Sequence, residues 1–156
     1  MTVYPAEVKW GIRDYGRTGP KTIEQWFALV VGLIYVALGV VGLIAARSQE
    51  VVGPSDVSLL GLVHVNPFHS TVHLFLGVLA LFAALVLTPP GTEGVNLALG
   101  GALILVAVLG YRGDLDYLLA MPALRDPNNL LYLVLGLVTL LFAGPLRVLR
   151  RRPATG

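Results

Sequence analysis

Four apolar stretches of 17 to 21 residues, each free of Asp, Glu, Lys and Arg, divide this chain: Trp26–Ala46, Phe68–Leu87, Val95–Tyr111 and Leu130–Leu146. A hydrocarbon core of ~30 Å is crossed by about 20 helical residues, so each stretch spans a bilayer if slightly tilted or locally thinned. In lipid every backbone N–H and C=O must find a partner within the chain, and among single segments only a helix supplies that. The expected fold is therefore all-α, an integral membrane four-helix bundle. Its expected limits are a tail over residues 1–24, a four-span domain over 25–147 and a basic tail over 148–156.

Charge distribution sets the orientation. Lys9, Arg13, Arg17 and Lys21 precede the first span, and Arg147, Arg150, Arg151 and Arg152 follow the fourth. The segment Arg47–Pro67 has one basic residue, Arg112–Pro127 has two, and Thr88–Gly94, read as the remaining loop, has none. The positive-inside rule then places both tails in the cytoplasm. The arginine cluster reads as a topology anchor with affinity for anionic lipid, and no nucleic-acid partner is expected. Trp26, Phe68 and Tyr111 occupy interfacial positions. With only 13% charged residues and no cysteine, the chain lacks disulfides, thiolate nucleophiles and Cys-ligated metal centres.

The halves resemble each other. Aligning Gly32 with Gly100 brings Gly42 onto Gly110, and aligning Gly77 with Gly136 matches HLFLGVLALFA to YLVLGLVTLLF. Each half reads as a helical hairpin whose second helix opens on an Asx-Pro step, Asn66-Pro67 or Asp126-Pro127. The side-chain oxygen caps the first N–H groups, and proline occupies a position whose donor has no helical partner. Two-span units repeat in the same orientation, a parallel internal repeat. Small residues four apart (Ala28/Gly32, Gly42/Ala46, Ala80/Ala84, Ala98/Ala102, Thr139/Ala143) form grooves for close helix approach, within the chain, in a homodimer or against other membrane proteins. Two connecting segments, VSLLGLVHV and YLLAMPAL, are too short to span and too apolar for water, and read as interfacial or partly re-entrant.

All three histidines lie in GLVHVNPFHSTVHLFLG. His69 and His73 share a helical face, with His64 just before the Asn66 cap. They admit a structural reading, hydrogen bonds joining the halves through a carbonyl or Tyr132, the repeat partner of His73. They also admit a metal reading, with His64, His69 and His73 as ligands, Asp56 as an alternative third, and water as a fourth. No HExxH is present, since Ser70 follows His69. Haem would need a ligand from elsewhere, because two imidazoles on one helical face cannot reach opposite faces of a porphyrin. No cofactor is expected; a metal ion or haem is what the imidazoles could hold. The spans contain no carboxylate pair, nucleophile turn or phosphate loop, so no enzymatic activity is expected.

The segment GLVHVNPFHSTVHLFLGVLAL, preceded by ALVVGLIYVALGVVGL and followed by a second hairpin, resembles the bacterial membrane family called domain of unknown function 4383, over about Gln25–Gly144. Its pattern falls on Asn66, Pro67, His69, His73 and Gly77. Tyr132-Leu133 stands where members often carry His-Leu, so a four-histidine site does not transfer. The longer amino-terminal tail, with Tyr4, Trp10 and Tyr15, also departs from the family. The resemblance implies a four-helix protein of the bacterial cytoplasmic membrane and lends no activity. The chain's expected role is that of an accessory or structural subunit packed against a larger membrane complex. A metal- or haem-binding protein and a small solute channel or transporter are the alternatives.

Overall fold

The computed structural model describes Ile12, residues 21–121 and residues 126–144. Its elements are α1 (Ile23–Ala45), a small hairpin of β1 (Ser58–Leu59) and β2 (Val63–His64), α2 (Pro67–Val86), α3 (Pro89–Tyr111), α4 (Asp116–Leu119) and α5 (Pro127–Leu141). The protein is all-α in architecture and is a membrane protein: α1, α2 and α3 are each long and apolar enough to cross a bilayer. Their exposed faces carry Val30, Leu33, Phe75, Val78, Leu97 and Leu105, side chains suited to acyl chains rather than to water. The fourth apolar helix, α5, has 15 residues.

Two expected limits need correction. The segment Thr88–Gly94, read as a loop, is helical from Pro89 onward, so Leu87 and Thr88 alone join α2 to α3. Prolines at the first two positions of a helix sacrifice no hydrogen bond. Thr92 then donates its hydroxyl to Ala83 O at 2.8 Å, satisfying a carbonyl at the end of α2. The last helix opens at Pro127, at the expected Asp126-Pro127 step, but stops at Leu141, short of the end of the expected apolar stretch Leu130–Leu146. Phe142 to Gly144 form a turn, and Gly144 has φ +108°, a conformation that ends a helix. The expectations for Tyr4, Trp10, Tyr15 and the terminal arginine cluster lie outside the described residues.

Helices α1 and α2 form one antiparallel pair, α3 and α5 the other, and glycines set both spacings. A Cβ at Gly77 would stand 2.6 Å from the backbone nitrogen of Val36, and one at Gly39 would stand 2.6 Å from that of Leu74. In the second pair a Cβ at Gly136 would meet Ile104 Cγ1 at 2.7 Å and Gly100 O at 3.0 Å. Backbones this close gain dispersion contact that lipid cannot offer. Between the pairs lies a core of Tyr35, Leu103, Ala107, Leu115, Leu119, Met121 and Tyr132.

At the end of the bundle where α2 begins, the β-hairpin turns through Leu60 and Gly61, both at positive φ, with Leu62 N bonded to Leu59 O. Leu59, Val63 and Val65 pack inward while Leu60 and Leu62 project outward, which divides the apolar content of VSLLGLVHV between two environments. The opposite end is tied by Gln25 Nε2 and Lys21 Nζ, which donate to Leu87 O and Ala84 O, each at 2.9 Å. Ile12 forms a single bridge with Leu87.

Candidate functional site: a buried imidazole–phenol clamp

Construction starts at the α2 cap. Asn66 Oδ1 accepts from His69 N at 2.8 Å, while its Nδ2 donates to Gly53 O and Leu118 O at 3.0 and 3.2 Å. One fully buried amide thus starts the helix and ties both connecting segments to it. Pro67 takes the first helical position. The corresponding carboxylate, Asp126, accepts from Asn128 N at 2.8 Å through Oδ1, with Pro127 next in the chain. Its Oδ2 stands 3.0 Å from His64 Nδ1, and Asn128 Nδ2 donates to His64 O at 3.3 Å. The starts of α2 and α5 are therefore held together around β2.

One turn into α2, His69 and His73 face inward with ring centroids 4.5 Å apart. The Tyr132 hydroxyl lies between them, bonded to His69 Nε2 and, at 2.7 Å, to His73 Nε2. Tyr35 of α1 meets His73 edge-on, with centroids 5.3 Å apart. All four rings are buried. The clamp joins one helix pair to the other because Tyr132 belongs to α5 and the histidines to α2.

A hydroxyl has one proton. It donates to one imidazole and accepts from the other, so the two histidines hold opposite tautomers when neutral. The other ring nitrogens, His69 Nδ1 and His73 Nδ1, are buried with no hydrogen-bond partner among the described residues.

The candidate metal ligands have different neighbours. His69 and His73 spend Nε2 on Tyr132, His64 turns to Asp126, and Asp56 is exposed. Among the described residues no group of three His, Cys, Asp or Glu side chains stands close enough to hold a metal ion. Sequence reasoning missed Tyr35. A lone tyrosine in the middle of an otherwise apolar span was the available signal.

Comparison with known families places this geometry. The family model described as Domain of unknown function (DUF4383) matches residues 25–144. The chain belongs to that family. The matched residues include the whole clamp, both Asx-Pro caps and every glycine crossing described above. No curated protein and no solved structure matches the chain.

Proposed function

We propose that this DUF4383 protein is a non-enzymatic accessory or structural subunit that packs laterally against a larger complex in the bacterial cytoplasmic membrane, with both termini cytoplasmic. One observation carries the reading. On α3 the small residues Gly94, Ala98, Gly101 and Ala102 face outward, and nothing lies within 4 Å of a Cβ placed at Gly94 or Gly101. Close approach of a partner backbone is what such a face permits in lipid.

The histidine clamp supports the same reading, since the Tyr132 hydroxyl shared by His69 and His73 ties one helix pair to the other. We also propose that the two pairs are copies of one hairpin. The supporting contacts run in parallel: Gly32 with Leu81 and Gly100 with Leu140, Gly77 with Val36 and Gly136 with Ile104, Gly42 with Ser70 and Gly110 with Asn129.

A photo-crosslinking residue at Gly101, used in native membranes, tests the proposal. The expected result is one discrete protein adduct that is absent when the probe replaces Leu33 on α1. Adducts with lipid only, or with a second copy of this chain only, would overturn it.

A further inference from the structure

The two helix pairs are joined unevenly. At the end where α2 begins, Asn66 Nδ2 donates to Leu118 O, Gly53 N donates to Tyr117 O at 2.6 Å, His64 pairs with Asp126, and the Tyr132 hydroxyl is shared by His69 and His73. At the opposite end, the α2–α3 side is fixed by its two-residue connection and by the Thr92 bond to Ala83 O. The α1–α5 side of that end is held differently. Among the described residues, Phe27 stacks there on Phe142 with ring centroids 4.1 Å apart and planes 6° from parallel, and Asn96 of α3 reaches Glu24 O of α1 through a bond of 3.4 Å. Each helical glycine whose Cβ position has a neighbour within 4 Å meets its own half of the chain, so no glycine crossing draws the two pairs together.

In lipid, helices are held by close packing and hydrogen bonds, since apolar side chains lose little by facing acyl chains instead. Leu76, Leu99 and Leu103, which line the seam between the pairs, therefore close it weakly, around a cavity of about 10 Å³ with room for one water. The closed form also leaves two groups unspent. The Tyr35 hydroxyl and Asn96 Oδ1, in residues on the wall of that cavity, are buried without a partner among the described residues. Each weighs against the closed form, and water entering the seam would satisfy both. We propose that the helix pairs hinge about the clamp and part at the α1–α5 seam, beside the α2–α3 turn, with the Phe27–Phe142 stack as the latch. The open form hydrates Asn96 and then, through the cavity, Tyr35, while the polar ties at the other end stay made.

The chain contains no cysteine, so paired cysteine variants of the full chain, in phospholipid nanodiscs, can carry spin labels read as distance distributions. Ile23→Cys with Leu141→Cys spans the seam. Ile44→Cys with Leu130→Cys spans the two pairs at the clamped end, and Ile23→Cys with Leu85→Cys stays within one pair; all these positions are exposed. The seam labels should show a second, longer population that both controls lack. Phe27→Ala should enlarge that population about two- to tenfold relative to the closed one, the equilibrium worth of an aromatic stack. Tyr35→Phe, which removes one unspent hydroxyl and keeps the ring, should shrink it, and it decides alone if Phe27→Ala does not fold. A seam distribution as narrow as the controls, or equal broadening of all three label pairs, would overturn the proposal. A longer population left unchanged by both substitutions would overturn it too.

Discussion

Tyr132 is the residue on which the clamp turns, because one oxygen serves two imidazoles. Tyr132→Phe keeps the ring and strands both Nε2 atoms, and should destabilise the protein by about 2–3 kcal/mol, from ~1–3 kcal/mol for each orphaned buried group moderated by the weaker coupling seen in membranes. Adding His69→Leu and His73→Leu to Tyr132→Phe should cost less than the sum of the separate changes, since the triple variant leaves no orphan. Denaturant unfolding in detergent, arranged as a cycle, measures that coupling. Asp126 does two tasks that separate cleanly. Asp126→Ala should cost about 1–2 kcal/mol through the lost cap, and Asp126→Asn should recover most of it, because the partly exposed His64 pair adds less than the cap. Much of this cluster is legible from the chain. The i, i+4 spacing puts His69 and His73 on one face, and the repeat alignment points to Tyr132. A lone tyrosine in an apolar span singles Tyr35 out, but its contact with His73 is not legible, since it depends on how α1 is rotated against α2 within their pair.

At the scale of the helix, glycines differ by what they face. Gly77→Ala and Gly136→Ala place a methyl group against a neighbouring helix and should each cost about 1–3 kcal/mol. Gly101→Ala meets nothing and should stay within about 0.5 kcal/mol of the parent. A reversed order in thermal unfolding would mean that the helix pairs are held in some other way. The same chemistry explains which boundaries the sequence reveals. For α2 the expected Phe68–Leu87 and the observed Pro67–Val86 differ by one residue, because Asn66-Pro67 states the start locally. The start of α3 escapes a hydropathy reading because PPGTEG is polar and rich in helix breakers. What makes it helical is proline at the two positions where proline costs nothing, with a threonine reaching back to Ala83. The end of α5 depends on the backbone conformation of one glycine, which composition does not disclose.

Across the whole molecule, the question is which side of the bilayer each end of the bundle occupies. The β-hairpin, α4 and the starts of α2 and α5 gather at one end. The α2–α3 turn, the first turn of α1 and the Lys21 and Gln25 contacts gather at the other. Four crossings would put both tails at the second end, the cytoplasmic side in the orientation proposed above on the positive-inside rule. The weak point is α5, which at 1.5 Å per residue is about 22 Å long, short of the ~30 Å core. It crosses only if the bilayer thins or the end segments sink toward it, and β2, held against its start through His64, is one such segment. The chain contains no cysteine, so single-cysteine variants report directly. Leu60→Cys, at a hairpin tip that is 89% exposed, should react with an impermeant maleimide from outside intact cells. Pro90→Cys and a cysteine appended to either terminus should react only after permeabilisation. If the two terminal cysteines labelled on opposite sides, α5 would not cross, and the shared orientation of the two helix pairs would fail with it.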